Sequence, residues 1–262
     1  GFMTLDDALN LEAAVSGETR VLIVGAGLIG LKCAEGIKKR VKSVTVCDLA
    51  PHALSSILLP DSAELVEQHL AENGISLLLG DTAVSFEGNT ALMKSGKSVD
   101  FDVLVLAVGV RANTALVKDA GGEVNRGIVV DEKMATSLPE VFAAGDCAEL
   151  KDGVLAILPA AHMGGYTAGV NMAGGKALYN DPMRMNSLGL FGLHIMTAGS
   201  YEGEAFGTPD RRFFVKNGIL KGFILIGNTD RAGIYTSLLR EKAQIETIDF
   251  DAVMACPSLL PF

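Results

Sequence analysis

The fold is decided by residues 20–48, which read RVLIVGAGLIGLKCAEGIKKRVKSVTVCD. Residues 21–24 form an apolar run whose length suits a strand buried on both faces. Residues 25–30 follow as Gly-Ala-Gly-Leu-Ile-Gly and fit the pattern G-x-G-x-x-G. Leu28, Leu31 and Ala34 then recur at a spacing of three, which predicts a helix. A second strand is predicted over residues 44–47 and ends at Asp48.

The three glycines of this turn have different predicted roles. Gly25 allows the tight strand-to-helix turn, Gly27 lets a pyrophosphate approach the backbone, and Gly30 lets the helix pack close to the strand. Leu28 and Ile29 begin the helix, so their free amides and the positive end of the helix dipole would face the phosphates. The pattern therefore predicts a dinucleotide site.

Asp48 lies 23 positions after Gly25, close to the roughly 20 expected for the acid that binds the adenosine ribose. A carboxylate there favours NAD, because it would repel a 2′-phosphate. Two alternatives stay open: an α/β turn that binds no ligand, and an Asp48 that is only a solvated acid at a strand end.

Composition narrows the classes of function. The 262 residues can form a large core and two packed units. No apolar run reaches the roughly 18 residues needed to cross a bilayer, and the net charge of −9 argues against nucleic acid or an anionic membrane as a partner. The four cysteines are isolated, so neither a metal site nor a dithiol pair is predicted, and we expect a reducing, cytoplasmic environment.

The rest of the chain indicates further elements. Thr4 and Asp7 predict a capped helix at the N-terminus, and its apolar side is predicted to contain Leu5, Leu9, Leu11 and Val15. Pro60 begins another helix, and a strand is predicted over residues 75–79. An antiparallel meander is predicted over residues 83–86, 90–93 and 97–100. Residues 103–108 are a second fully apolar strand, and Gly109 follows at its carboxyl end, where α/β sheets place ligands.

The second half of the chain carries three further signals. Residues 141–144 are predicted to form a short buried strand. The Asn217-Gly218 pair predicts the turn of a β-hairpin. Residues 249–262 are expected to be a tail or the start of a further segment.

Residues 103–116, VLVLAVGVRANTAL, and residues 127–149, GIVVDEKMATSLPEVFAAGDCAE, carry a more specific resemblance. In their order after the glycine turn they resemble the FAD-dependent pyridine nucleotide–disulfide oxidoreductases. Residues 220–235, LKGFILIGNTDRAGIY, are similar to the C-terminal domain of the rubredoxin reductase and nitrite reductase flavoprotein branch.

The resemblance implies an α/β fold with a Rossmann-like NAD-binding domain, a parallel sheet and a small antiparallel meander. Part of an FAD domain and a small α+β C-terminal domain would follow. The predicted segments are a linker helix (residues 1–17), the NAD-binding domain (18–108), the C-terminal segment of the FAD domain (109–180) and the C-terminal domain (181–262).

The resemblance also assigns residues to FAD. Asp146 would hydrogen-bond the ribityl chain, Gly145 would allow close backbone approach, and a helix over residues 159–171 would face the flavin ring. From the residues alone, Asp146 could instead be a helix N-cap. His162 lies near the start of that helix, and we interpret it as packed or solvated rather than as an acid–base group.

The chain departs from the family pattern in two places. It carries one glycine motif, and the segment that would hold the FAD pyrophosphate is absent, so the chain is expected to start partway through a larger protein and to bind FAD weakly or not at all. Lys32 stands where many members have a glutamate near the nicotinamide.

The leading hypothesis is the NADH-binding part of an enzyme that passes hydride from NADH to FAD. Electrons would then leave to a redox protein, a disulfide or a small acceptor, and the catalytic residues are unknown. The alternative is a non-catalytic nucleotide-binding module, or a subunit that completes a flavin site with another chain. A homodimer is a further prediction.

Overall fold

The computed structural model describes residues 1–151, 153–180 and 182–245, and it divides into two units. One unit combines Gly1–Gly109 with the described residues from Arg184 onward, and the other is Val110–Met183. The predicted functional boundaries at residues 17, 108 and 180 are a different division and stay a prediction.

The first part of the larger unit contains seven strands and three helices. The strands are β1 (Arg20–Val24), β2 (Ser43–Asp48), β3 (Ile75–Leu79), β4 (Ala83–Glu87), β5 (Thr90–Met93), β6 (Ser98–Asp100) and β7 (Val103–Leu106). The helices are α1 (Leu5–Ala14), α2 (Leu28–Ile37) and α3 (Pro60–Glu72), with a short 3-10 turn at Lys38–Arg40.

A four-stranded parallel sheet in the order β3-β2-β1-β7 is the centre of this part. Leu22 and Ile23 of β1 are fully buried, which agrees with the apolar run predicting a central strand. Strands β4, β5 and β6 form a separate antiparallel meander, as predicted. The predicted α/β fold is confirmed.

Helix α1 begins as predicted but differs in its apolar side. Thr4 and Asp7 form a reciprocal capping box. Leu11 is buried, whereas Leu5 is 75% exposed and Leu9 is 52% exposed. The predicted apolar side is therefore wrong for Leu5 and Leu9, whereas Leu11 belongs to the core and Val15 packs against it.

The C-terminal part of the larger unit is a five-stranded antiparallel sheet with one helix. Its members are β11 (Met185–Leu190), β12 (Leu193–Gly199), β13 (Glu204–Thr208), β14 (Arg211–Lys216), β15 (Ile219–Ile226) and α6 (Ala232–Glu241), in the strand order β11-β12-β15-β14-β13. The predicted hairpin around Asn217 and Gly218 is confirmed, and both residues have positive φ, of 55° and 72°.

This sheet packs on both faces. Phe213 faces α6 and contacts Tyr235 edge to face, with ring centroids 4.7 Å apart. Phe214, next along the strand, joins the core that also contains Leu31 of α2 and Val66 of α3. Asp61 of α3 pairs with Arg212, and the C-terminal sheet thus shares one hydrophobic core with the parallel sheet.

The smaller unit contains α4 (Ala115–Asp119), β8 (Ile128–Val129), β9 (Ala148–Leu150), β10 (Gly153–Val154) and α5 (Leu158–Met172). A strand was predicted over residues 141–144, and this is wrong: only an isolated bridge joins Phe142 to Ala135. Val141 is 37% exposed, so the apolar run there does not lie in the middle of a sheet.

In the described part of the chain, no helix combines the length and the apolar character required to cross a bilayer. The predicted tail over residues 249–262, which includes Cys256, lies outside the described residues.

Candidate functional site

A cleft of about 580 Å³ opens at the carboxyl ends of β1, β2 and β7. Its position follows from the parallel sheet, because the ends of neighbouring strands meet at one edge. It is lined by Val24, Gly25, Ala26, Gly27, Leu28, Ile29, Asp48, Leu49, Ser55, Ser56, Thr82, Ala107, Val108 and Gly109. All of these residues belong to the larger unit.

Two of the three motif glycines are sterically required. Gly25 has a φ of +117°, and a Cβ atom there would lie 2.3 Å from the carbonyl oxygen of Ala107. A Cβ atom on Gly30 would lie 1.9 Å from the carbonyl oxygen of Gly25. These distances are shorter than any van der Waals contact, so β1, the turn and α2 come this close only because both positions lack side chains.

Gly27 is different, because a Cβ atom there would meet no heavy atom within 4 Å. It precedes α2, and the Leu31 amide of that helix donates a hydrogen bond to the Gly27 carbonyl oxygen at 3.1 Å. Among the described residues, the amides of Leu28 and Ile29 have no partner. The space beside Gly27 is therefore open, and it lies next to unpaired amides at the positive end of helix α2. This arrangement suits an anion.

Asp48 holds the glycine turn in place. Its Oδ2 accepts a hydrogen bond from the Ala26 amide at 2.7 Å, and its Oδ1 accepts one from the Ala50 amide at 2.8 Å. The Ala26 carbonyl in turn accepts a hydrogen bond from the Leu54 amide at 3.0 Å. The sequence indicated a ribose ligand or a solvated acid at a strand end for Asp48, and it did not predict this structural role. Each carboxylate oxygen has a second lone pair, so both roles are compatible.

The structure brings together most of the predicted NAD-binding residues. Gly25, Gly27, Leu28, Ile29, Asp48 and Gly109 all line the cleft, and Gly30 supports it from within α2. Their roles toward a ligand stay predictions.

The predicted flavin residues, Gly145 and Asp146, lie in the smaller unit. Gly145 has a φ of +81° in a turn before β9, and Asp146 is exposed. The alternative that Asp146 caps a helix is wrong, because β9 follows it and α5 begins only at Leu158. A positive-φ glycine beside an exposed carboxylate fits the polar chain of a flavin. His162 is exposed on α5.

Lys32 points its ammonium group away from the cleft. Its Nζ pairs with Glu35 and donates a hydrogen bond to the Gly189 carbonyl at 3.0 Å. Glu35 also accepts a hydrogen bond from the Phe191 amide at 2.6 Å. Burial would raise the Glu35 pKa, but the bonds from Lys32 and Phe191 outweigh it and lower the pKa. Lys32 therefore anchors α2 to the β11–β12 hairpin.

Sequence reasoning missed several cleft residues. Leu49, Ser55, Ser56, Thr82 and Val108 all line it. Val108 was included in the last apolar strand, but β7 ends at Leu106. The other four lie in connections whose sequence carries no recognisable motif, so only the folded chain identifies them.

The model of the family described as pyridine nucleotide-disulphide oxidoreductase matches residues 1–165. An NADH oxidase of Methanocaldococcus jannaschii is 40% identical over 174 residues, which are 63% of this chain and 39% of that protein. A nitric oxide reductase FlRd-NAD(+) reductase of Salmonella paratyphi A is 36% identical over 170 residues, which are 63% of this chain and 45% of that protein. The chain therefore spans less than half the length of these curated relatives.

A solved structure agrees with these relatives. The FAD-dependent pyridine nucleotide-disulphide oxidoreductase from Desulfovibrio vulgaris superimposes with a TM-score of 0.80 at 25% identity. The match covers 96% of this chain and 72% of that one. The family model alone accounts for more than half of the present sequence, and the motifs that it matches include the glycine turn around the cleft. The protein thus belongs to the pyridine nucleotide-disulphide oxidoreductase family.

Proposed function

We propose that this chain binds NADH in the cleft and is the nucleotide-binding part of an FAD-dependent oxidoreductase. The observation that carries the proposal is the corner at Gly27, where open space lies against the unpaired amides of Leu28 and Ile29. Such a corner accepts the diphosphate of a dinucleotide. The two curated relatives, an NADH oxidase and a nitric oxide reductase FlRd-NAD(+) reductase, support the same ligand.

In the whole protein, bound FAD would supply the redox chemistry that links NADH to a redox protein, a disulfide or a small acceptor. Gly145 and Asp146 are our candidates for holding part of that flavin, with the α5 amino-terminal end near its ring. The task of this chain is to bind and orient the nucleotide. Among the described residues we assign no proton transfer to a side chain.

The charge of the cleft favours NADH over NADPH. Within the described residues, Asp48 is the one charged side chain in the lining, and no lysine, arginine or histidine contributes to it. A 2′-phosphate next to that carboxylate would be repelled without any compensating cation. We expect NADPH to bind at least about tenfold more weakly than NADH, which corresponds to about 1.4 kcal/mol.

Titration of the purified chain with NADH and NADPH tests this proposal, with nucleotide fluorescence as the signal. Failure of the unaltered chain to bind NADH would refute it. Parallel titration with FAD measures whether the flavin binds the chain weakly, as the sequence led us to expect.

A test of Asp48 as a ribose ligand needs a modified nucleotide as well as a variant, because replacing Asp48 also removes two backbone hydrogen bonds. We expect Asp48→Ala to weaken NADH binding through both effects. An NADH analogue that lacks the adenosine 2′-hydroxyl separates them. The unaltered chain should prefer NADH to the analogue by about tenfold, and Asp48→Ala should lose that preference. A preference that persists would exclude a direct contact with this hydroxyl.

We also propose a reducing, cytoplasmic location. Cys33, Cys47 and Cys147 are free thiols. Burial raises the pKa of the Cys33 thiol to about 11, which makes it a poor nucleophile. The proposed homodimer is tested by light scattering of the purified chain.

A further inference from the structure

A dinucleotide brings a diphosphate of about two negative charges into a cleft that has no cationic lining residue. The partners of the phosphoryl oxygens must then be neutral donors. The amides of Leu28 and Ile29 supply one side. Among the side chains in the lining, the neutral donors are the hydroxyls of Ser55, Ser56 and Thr82.

Ser55 and Ser56 are held next to the glycine turn by a loop that backbone hydrogen bonds fix in place. Leu54, which precedes them, is 1% exposed, has a φ of +54° and donates its amide to the Ala26 carbonyl. The amides of Ile57 and Leu58 both donate hydrogen bonds to the Leu54 carbonyl oxygen, at 2.8 and 2.9 Å. The serines therefore project from a tight turn that is bonded directly to the residue before Gly27.

Neither serine has a structural task that would explain its position. Both are exposed, and within residues 1–151, 153–180 and 182–245 neither hydroxyl has a hydrogen-bond partner. Thr82 is placed differently, because it follows Asp81 after β3, and its backbone bonds to Asp81 and Lys94. Strand β3, which precedes Thr82, lies at the edge of the sheet beyond β2, on the side away from β1 and β7.

We propose that the Ser55 and Ser56 hydroxyls form the second wall of the diphosphate site and donate hydrogen bonds to phosphoryl oxygens opposite the α2 amides. This inference rests on the proposed function, since it concerns the same cleft. It extends the proposed function by naming side chains that distinguish between classes of ligand. The two serines would increase the affinity for dinucleotides and nucleoside diphosphates, and they would not affect nucleosides without phosphate.

The test uses the full chain with Ser55→Ala, Ser56→Ala and the double replacement. Ser76→Ala is the matched control, because Ser76 is exposed on β3 and does not line the cleft. The probes are NADH, titrated directly, and ADP and adenosine, which compete with it. Each single replacement should weaken NADH and ADP about three- to tenfold, as loss of one hydrogen bond does. The affinity for adenosine should not change, and all variants should keep the melting temperature.

Two outcomes would overturn the assignment. Unchanged NADH and ADP affinity in the double variant would exclude the contact, and an equal loss for adenosine would move the serines to the nucleoside. The unaltered chain separates this inference from the proposed function. If it fails to bind NADH, the proposed function is wrong. If it binds NADH and the double variant binds equally well, only the serine assignment is wrong.

Discussion

At the scale of single residues, the three glycines of the turn differ in whether the fold or the ligand requires them. Gly25 and Gly30 are needed because neighbouring backbone fills the space where a side chain would go. Gly27 borders open space, so nothing in the free protein requires a glycine there. The same motif thus contains positions that stabilise the fold and one position that admits the ligand.

A pair of substitutions tests this separation. Gly27→Ala should leave the melting temperature nearly unchanged and weaken NADH binding tenfold or more, because the methyl group would take the place of the diphosphate. Gly30→Ala should destabilise the protein by several kcal/mol, because its methyl group would overlap the Gly25 carbonyl oxygen. The measurements are thermal unfolding and NADH titration. Equal loss of stability in both variants would contradict the separation.

The roles of the glycines were predictable from sequence because they depend on local geometry, which the motif specifies. The bonds of Asp48 to the Ala26 and Ala50 amides were not, since they depend on how two connections meet in space. Ser55 and Ser56 were missed for the same reason. Serine in a loop is common, and only the bond from Leu54 to Ala26 shows that this loop reaches the turn.

At the scale of elements, Arg20 and Asp102 join the starts of β1 and β7. The Arg20 backbone amide and its guanidinium Nε both donate to Asp102 Oδ2, at 2.8 and 3.1 Å, and Nη2 donates to Oδ1 at 2.9 Å. The guanidinium first, and then the amide, hold the pKa of Asp102 at about 2, below its usual 3.8.

This pair predicts a pH dependence of stability. Because the pKa of Asp102 is lower in the folded than in the unfolded protein, its contribution is present above about pH 4 and is lost as the pH falls toward about 2. Asp102→Asn should therefore lose less stability than the unaltered protein between pH 4 and 2, as measured by urea unfolding. The difference should be small and should shrink in high salt, since the pair is exposed.

The matched control is Glu64→Gln, which alters an exposed carboxylate of α3 with no ion pair in the described part of the chain. It should follow the unaltered protein through the same pH range. If Asp102→Asn and Glu64→Gln gave the same profile, the depressed pKa of Asp102 would have no effect on folding.

Elements with a strong periodic pattern were predicted well, and isolated apolar runs were not. The run over residues 141–144 resembles a buried strand, but its only partner is the bridge to Ala135. Strand β13 was missed because Glu204–Thr208 is exposed along its whole length and has no alternation to detect. Pairing with β14 decides its structure.

At the scale of the whole molecule, the larger unit is built from two stretches of chain that are separated by the smaller one. Leu190 and Phe214 from the second stretch pack in the same core as Ile23 and Leu31 from the first. The sequence indicated an NAD-binding domain and a C-terminal domain, but it held no signal for this shared core, because such packing depends on contacts between distant residues.

The shared core predicts how the chain responds to excision of the smaller unit. Replacing residues 110–183 by a flexible glycine–serine linker should leave a protein that unfolds in one transition and still binds NADH, since every residue that lines the cleft remains. Circular dichroism and NADH titration measure the two properties.

Deletion of residues 184–262 is the informative control. It removes six buried side chains of the common core, so the product should melt at a much lower temperature or fail to fold; they are Leu188, Leu190, Ile195, Phe214, Ile224 and Ile226. Two independent unfolding transitions in the excised protein, or a stable product of residues 1–109 alone, would contradict a single shared core.

The bracing of Ala26 has a consequence for isotope exchange. Its amide donates a hydrogen bond to Asp48, and we expect this bond to persist when nucleotide binds, so the amide should take up deuterium slowly in both states. The amides of Leu28 and Ile29, a few ångströms away, should exchange quickly until a phosphate covers them. The slow exchange of the Ala26 amide would then serve as an internal reference. The exchange of the Leu28 and Ile29 amides would report how much of the site is occupied by nucleotide.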